Sequence, residues 1–155
     1  MRIFILGPTG SGKSYLANLL SKELGIPIIE GSSWIRTLTG RSDHGPEAAA
    51  FLSQRSQELL KEDPEISLRT LQKLVEAAGP CIVVGLRNPV DFCGLCDCER
   101  CIIEMTGLPV TEFEQQGLEA IFKIADPDIV LKAPDYKLED LLEGITNVER
   151  LYQCT

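Results

Sequence analysis

The sequence predicts an α/β fold in which a five-stranded parallel sheet carries helices on both faces, giving three layers. Short β-branched or aromatic runs alternate with segments of helical periodicity, and glycine or proline separates most of them. Strands that alternate with helices form parallel sheets with right-handed crossovers. The 155 residues match one domain in length and show no internal repeat, so we expect a single domain over residues 1–155.

The first three elements follow from the amino-terminal part of the chain. Arg2–Leu6 is an apolar, β-branched run that predicts a strand. Lys13–Leu24 has leucines at helical spacing, and it ends at Gly25, which is followed by a proline two residues later. Pro27–Glu30 then predicts a short second strand.

Two helices and a third strand are predicted in the middle of the chain. Pro46 can open a helix that runs to about Lys61. A second helix follows Asp63 and Pro64, with an apolar face between Leu68 and Ala78. Cys81–Gly85 has the continuous apolar character of a strand that is buried on both faces.

The carboxyl-terminal third repeats the alternation of strand and helix. Cys101–Met105 predicts a fourth strand, and the capping box Thr111–Glu114 predicts the start of a helix that ends near Ala125. Asp128–Leu131 is the fifth strand, and apolar residues from Leu138 to Ile145 mark a last helix.

A complete G-x-x-x-x-G-K-[ST] motif lies between the first strand and the first helix. Its glycines let backbone N–H groups point inward at a helix amino terminus, which is a ready anion site. In such loops Lys13 reaches the β- and γ-phosphates and Ser14 ligates Mg²⁺. The alternative is a glycine-rich turn with an incidental lysine, which the strand and helix on either side disfavour. The candidate nucleotide-binding residues are Gly7, Pro8, Thr9, Gly10, Ser11, Gly12, Lys13, Ser14 and Tyr15.

Composition excludes some partners and favours others. The net charge of −8 repels the phosphate backbone, so we expect no nucleic-acid partner. No segment approaches the roughly 18 apolar residues of a membrane span. The amino terminus has the pattern of a core strand and not of a secretory leader, so a cytoplasmic location is expected. Six cysteines in that compartment would be reduced thiols or metal ligands before they were disulfides.

The chain resembles the small P-loop nucleoside and nucleotide kinases, the adenylate-kinase-like and dephospho-coenzyme-A-kinase-like group. The resemblance covers nearly the whole chain, and its specific motif is the loop at residues 7–14. Further matches are the segments 30–36 and 84–89, and residues 126–144 are similar to the last strand, adenine-side loop and final helix of that group. The resemblance implies the P-loop NTPase fold with strand order 2-3-1-4-5.

The same resemblance implies roles for three charged residues at the carboxyl edge of the sheet. Arg36 and Arg87 lie where these kinases carry arginines that hold the phosphate of the acceptor, and arginine suits that task because its donors are planar and bidentate. Glu30 lies where they place a carboxylate that orients the attacking hydroxyl or a Mg²⁺-bound water. The group's aspartate at the end of the third strand is replaced by Val84 or Gly85, so Glu30 would have to serve for it. Solvated surface side chains are the alternative for all three.

Four thiols lie within nine residues, Cys93, Cys96, Cys98 and Cys101, between the third and fourth predicted strands. Two C-x-x-C pairs can clip a metal ion, and tetrahedral Zn²⁺ is the default ion for four thiolates. The one-residue spacer between the pairs is short for a mononuclear site. Reduced core or surface thiols and a disulfide or redox switch are the other two interpretations.

These observations lead to one main functional hypothesis and two alternatives. The main hypothesis is an ATP- and Mg²⁺-dependent kinase that transfers the γ-phosphoryl group to a nucleotide or nucleotide-like acceptor, with Lys13, Glu30 and Arg87 as catalytic residues, acting as a monomer or small homo-oligomer. A nucleotide-dependent switch or regulatory ATPase is the second, for which residues 91–94 give a loose D-x-x-G match. The third is a metal-sensing scaffold that kept the loop and lost catalysis.

Overall fold

The computed structural model describes residues 1–109, 115–132 and 135–154. These residues form an alternating series of strands and helices. In chain order the elements are β1 (Arg2–Leu6), α1 (Lys13–Leu24), β2 (Ile28–Glu30), α2 (Ser33–Thr39), α3 (Pro46–Glu62), α4 (Ile66–Ala78), β3 (Cys81–Val84), α5 (Pro89–Leu95), β4 (Arg100–Thr106), α6 (Gln115–Ile124), β5 (Ile129–Lys132) and α7 (Leu138–Gln153).

The five strands form one parallel sheet in the order β2-β3-β1-β4-β5. This confirms the predicted fold class and the strand order 2-3-1-4-5. β1 is the central strand, with Arg2 opposite both Cys81 of β3 and Arg100 of β4. Because every strand runs the same way, the loop after β1 meets the ends of β2, β3 and β4 at one edge of the sheet.

The alternation of side chains along β1 divides the core into two layers. Ile3 and Ile5 face α1 and α7, where they pack with Leu16, Leu20 and Ile145. Phe4 and Leu6 face the opposite side, where the helices from α2 to α6 contribute a second apolar cluster. The sheet is therefore covered on both faces, as period-2 alternation in a doubly covered sheet requires.

The predicted elements match closely except for two short helices. All five strands and α1, α3, α4 and α7 occur where the sequence predicts them, and most ends differ by one or two residues; α7 is the exception, because it continues to Gln153, well beyond the apolar residues that marked it. No element was predicted over Ser33–Thr39 or Pro89–Leu95, and these segments form α2 and α5, helices of seven residues each. The capping box at 111–114 lies outside the described residues. Within the described ranges, no helix has both the length and the apolar character needed to cross a membrane.

Candidate active site

The loop between β1 and α1 has the backbone shape of an anion cradle. Gly10 and Gly12 adopt φ values of 82° and 88°, which are left-handed conformations that favour glycine. The N–H of Ser11 donates to the carbonyl of Pro8 at 3.1 Å, and this bond closes the turn. Gly12 then caps α1, so the loop delivers its amides to the positive end of the helix.

Two cationic side chains lie over this loop. The Lys13 ammonium group donates to the carbonyl of Pro8 at 2.8 Å, so the lysine turns back across the loop from the first turn of α1. Arg87, which follows β3, donates through Nη2 to the Thr9 hydroxyl at 3.3 Å. The residues are 78 positions apart in sequence, and the order of β3 beside β1 brings them together. The loop thus combines backbone N–H donors with two side-chain cations.

The remaining loop residues, Ser11, Ser14 and Tyr15, differ in burial. Ser11 is buried, and its Oγ has no hydrogen-bond partner among the described residues. A buried hydroxyl without a partner is costly, so such a group usually serves a ligand or a bound water. Ser14 is exposed in the first turn of α1, next to Lys13. Tyr15 follows it and is also exposed.

The segment that carries Arg87 is held on both sides. Asn88 caps α5 by accepting a hydrogen bond from the N–H of Val90 at 3.0 Å, and Pro89 is the first residue of that helix. On the other side, α6 approaches so closely at Gly117 that a Cβ there would overlap the carbonyl oxygen of Arg87. Arg87 therefore lies on a backbone fixed by two helices, which suits a side chain that must bind in one geometry.

The ends of β2 and β3 meet through glycines. The N–H of Gly31 donates to the carbonyl of Val84 at 2.8 Å, and a Cβ on Gly31 would lie 2.5 Å from the carbonyl oxygen of Gly85. β3 thus ends without a carboxylate side chain at this edge. Glu30 lies on β2 opposite Val84 and is exposed, so its carboxylate is available to solvent or ligand at the same edge.

The structure places Arg36 in a different setting from Arg87. It lies in the last turn of α2, and its Nη1 donates to the carbonyls of Asp43 at 2.9 Å and Arg41 at 3.5 Å. Its Nη2 lies 3.5 Å from Nδ1 of His44. Arg36 therefore fastens the loop between α2 and α3. An anion that binds Arg36 would have to share or replace these contacts.

The four clustered cysteines do not form the predicted zinc site. Cys93 is exposed on α5, whereas Cys96 and Cys101 are buried in the apolar clusters on opposite faces of the sheet. Among the described residues, which include all six cysteines, no group of three or more metal-binding side chains could hold an ion. Burial raises the pKa of both Cys96 and Cys101 to about 12, which is the behaviour of core thiols. Zinc is therefore not supported.

Asp91 is the acidic residue of the loose D-x-x-G match at residues 91–94. Asp91 on α5 is buried and accepts a hydrogen bond from the Ser67 hydroxyl of α4 at 2.6 Å. Burial raises the pKa of Asp91 to about 6, and the bond from Ser67 offsets part of that rise. The Asp91 carboxylate is buried between two helices and is not exposed to a metal-bound phosphate. The D-x-x-G match therefore does not support the hypothesis of a nucleotide-dependent switch.

No protein-family model matches the chain. Among solved structures, a shikimate kinase from Aquifex aeolicus has a TM-score of 0.63 at 18% identity, covering 97% of this chain and 96% of that one. A gluconokinase from Sinorhizobium meliloti scores 0.56 at 19% identity, with 97% and 92% covered. A sugar kinase from Janibacter scores 0.59 at 21% identity, with 96% and 94% covered.

The chain has the fold of the P-loop kinases. Among curated proteins, a tRNA dimethylallyltransferase from Mycoplasmoides gallisepticum is 53% identical over 32 residues. That match covers 21% of this chain and 10% of the transferase, so the chain spans only a tenth of that protein's length. These likenesses establish the fold, and they leave the substrate to be argued from the site.

Proposed function

We propose that this P-loop protein is an ATP- and Mg²⁺-dependent kinase that transfers the γ-phosphoryl group to a small-molecule acceptor. The observation that carries the proposal is the phosphate loop itself, a complete motif whose Lys13 lies across it while Arg87 contacts Thr9 from the neighbouring strand. Phosphoryl transfer depends mainly on positioning and on stabilising charge that spreads over the equatorial oxygens. Preorganised amides and two cations supply that stabilisation.

The donor side of the reaction uses residues of the loop and of α1. The loop amides and Lys13 would hold the β- and γ-phosphates, because the loop ends at the amino terminus of α1 and Lys13 lies back across it. The Ser14 hydroxyl and, through water, the Glu30 carboxylate are oxygen ligands of the kind that Mg²⁺ prefers. A bound magnesium ion would neutralise charge on the β- and γ-oxygens.

The acceptor side is assigned to Arg87, with Arg36 as a second contact. Arg87 is exposed, yet its backbone is fixed by α5 and α6, so its fork can hold an anionic group beside the γ-phosphoryl position. Arg36 would join it when the loop at 41–44 yields its carbonyl contacts. The finer proposal is a nucleotide or nucleotide-like acceptor. It rests on the sequence resemblance at residues 30–36 and 84–89, whereas the structural neighbours are named for shikimate kinase, gluconokinase and sugar kinase activity.

An ADP-release assay over a panel of phosphorylated and carboxylated small molecules tests the donor assignment. We expect acceptor-dependent ADP formation that Lys13→Ala reduces by at least about 100-fold, because the triphosphate loses its main side-chain cation. Lys22→Ala is the matched control, since Lys22 is an exposed lysine in the last turn of the same helix, and it should keep wild-type activity. ADP release that no acceptor alters would contradict the kinase and favour a regulatory ATPase. Unchanged activity of Lys13→Ala would contradict both.

Arg87→Lys tests the acceptor assignment. A lysine keeps the positive charge and loses the planar pair of donors, so we expect the KM for the acceptor to rise about tenfold or more while ATP binding changes little. Arg55→Lys is the control, because Arg55 is an exposed residue of α3 that pairs with Glu58 at 3.0 Å. Equal losses of ATP and acceptor affinity in Arg87→Lys would move Arg87 to the donor side.

A further inference from the structure

The structure places two of the clustered cysteines on one turn of α5. Cys93 is exposed on that helix, and Cys96 is its C-cap, with the N–H of Cys96 donating to the carbonyl of Phe92 at 3.0 Å. This helical bond keeps the two cysteines at i,i+3 spacing, on the same side of the helix. Local structure therefore holds this pair together, whereas Cys101 packs on the opposite face of the sheet.

Both cysteines line one cavity of about 640 Å³, which is bordered by α4, α5, β4 and α6. Among the described residues that line it, none belongs to the phosphate loop, so the cavity is separate from the candidate active site. Cys96 is only 9% exposed, and the cavity gives its side chain an opening beside Cys93. Cys98 lines a different cavity, and its thiol donates to the carbonyl of Leu95 at 3.5 Å.

The charged groups at this cavity have both signs. The Arg100 guanidinium donates through Nη1 to the carbonyl of Cys96 at 2.6 Å, which fixes a cation next to that residue. Asp97 and Asp126 line the same cavity. One guanidinium and two carboxylates suit a small zwitterion that presents carboxylate and ammonium groups to them. Disulfides of cysteine and of short cysteine-containing peptides have this charge pattern.

A disulfide between Cys93 and Cys96 needs only a small adjustment at the end of α5. Side chains three positions apart on a helix lie about 5–6 Å apart at Cβ, and a disulfide needs about 4 Å. The closing shift is therefore about 1–2 Å. Cys96 ends the helix with φ of −83° and ψ of 0°, which already depart from helical values, so it can move without disturbing the turn before it.

We propose that Cys93 and Cys96 form a dithiol site that exchanges with small zwitterionic disulfides and closes to an intramolecular disulfide. The Cys93 thiolate attacks one sulfur of the small disulfide, so that a bond to Cys93 Sγ forms, the original S–S bond breaks and one thiolate leaves. Cys96 then loses its proton to water and attacks Cys93 Sγ, and the second thiolate leaves. In total, the two cysteines give up two electrons and two protons, and the small disulfide becomes two thiols.

The different burial of the two thiols fixes the order of these steps. Cys93 is exposed and reacts first, because a reactive thiol must be accessible to its partner. Burial raises the pKa of Cys96 to about 12, and the charge of Arg100 offsets part of that rise, so Cys96 rarely ionises. The second step is therefore the slower one, and the mixed disulfide at Cys93 should accumulate before closure.

Oxidised glutathione, a peptide disulfide with carboxylate and ammonium groups, is the probe for this site. The folded 155-residue chain would be treated with it, the remaining thiols blocked, and the products mapped by peptide mass spectrometry. We expect a mixed disulfide at Cys93 that converts to a Cys93–Cys96 disulfide, whereas Cys154, which is exposed at the end of α7, stays a mixed disulfide. Cys96→Ala should stop the reaction at the mixed disulfide. Cys98→Ala is the matched control and should leave closure unchanged.

The same reaction in urea separates the effect of the fold from that of the sequence. In the unfolded chain Cys96, Cys98 and Cys101 should compete for Cys93, so a mixture of disulfides is expected. An unreactive Cys93 in folded protein, a Cys93–Cys98 product, or the same mixture as in urea would overturn the proposal.

Uncharged hydroxyethyl disulfide tests the part that the cavity charges have in recognition. We expect the rate at Cys93 relative to Cys154 to be about threefold higher with oxidised glutathione, the size of effect that exposed ion pairs give. Equal relative rates would overturn the assignment to zwitterions. Because the cavity lies apart from the phosphate loop, all these outcomes are independent of the proposed function.

Discussion

At the scale of single residues, the pairing of Asp91 with Ser67 has a measurable consequence for stability. Asp91 is buried and its folded-state pKa is about 6, above the ordinary value of 3.8 for an aspartate. The fold therefore prefers the protonated acid. The contribution of Asp91 is most favourable below about pH 4, and it is lost as the pH rises through 6. At neutral pH the loss amounts to about 3 kcal/mol, from roughly two pKa units.

Asp91→Asn tests whether the charge on Asp91 destabilises the fold at neutral pH. The amide keeps an oxygen that can accept the Ser67 hydrogen bond and removes the charge, so we expect it to stabilise the protein by roughly 1–3 kcal/mol near pH 7.5 and by little near pH 4. Urea unfolding at the two pH values gives the measurement. Ser67→Ala is the control, because it removes the hydrogen bond and leaves the buried acid. Equal effects of Asp91→Asn at both pH values would contradict the assignment.

The residues of the site also differ in how far sequence could predict them. The loop was predictable because all eight residues of its motif, from Gly7 to Ser14, are contiguous in sequence, and the motif itself indicates phosphate binding. The contact of Arg87 with Thr9 was not, since the predicted strand order puts β3 beside β1 but does not give the path of the chain after β3, which α5 and the close approach of α6 hold in place. The zinc prediction failed for a related reason: alternation along β4 turns Cys101 to the face opposite Cys96.

At the scale of elements, the length of a helix decided whether the sequence predicted it. α1, α3, α4 and α7 have 12 to 17 residues, enough for several turns of periodic apolar positions. α2 and α5 have seven, too few to separate from a loop by periodicity. Burial stabilises them: Trp34 and Ile35 in α2, and Phe92 and Leu95 in α5. For α5, the sequence does contain a signal for the start of a helix, because Asn88 can cap it and Pro89 suits its first position.

The packing of α6 against the Arg87 segment gives a prediction at this scale. A Cβ at Gly117 would overlap the carbonyl oxygen of Arg87, and backbone cannot move aside as a side chain can. We expect Gly117→Ala to displace α6, to cost about 1–3 kcal/mol of unfolding free energy, and to weaken activity through Arg87. Denaturant unfolding and acceptor KM measure the two effects.

Gly144→Ala is the matched control for that substitution. Gly144 lies inside α7, and its new Cβ would meet only the flexible end of Ile129 at 3.0 Å. The gain of helix propensity, about 1 kcal/mol, would offset that contact. Gly144→Ala should therefore be near neutral with normal KM. Similar losses of stability and activity in both variants would indicate a general intolerance of alanine in these helices. The close approach of α6 to Arg87 would then not be the cause of the effect of Gly117→Ala.

At the scale of the whole molecule, the net charge and the proposed phosphate site have opposite effects on the binding of a nucleoside triphosphate. The chain carries a net charge of −8, so its overall field repels a nucleoside triphosphate. Under the proposed function, binding would come from a small region in which Lys13, Arg87, the loop amides and the amino end of α1 act at short range. Such a site can hold a compact polyphosphate and offers little to an extended polyanion, which contacts a protein over many phosphates.

This difference predicts the outcome of an experiment with tRNA. The 32-residue likeness to a tRNA dimethylallyltransferase raises the question of an RNA substrate, and the charge of the whole chain argues against one. Fluorescence anisotropy of labelled tRNA at about 50 mM salt should show no saturable binding tighter than about 10 µM. A basic RNA-binding protein provides the positive control. Saturable binding below about 1 µM that weakens as salt is added would mean that local cations outweigh the net charge, and the search for the acceptor would then move from small molecules to RNA.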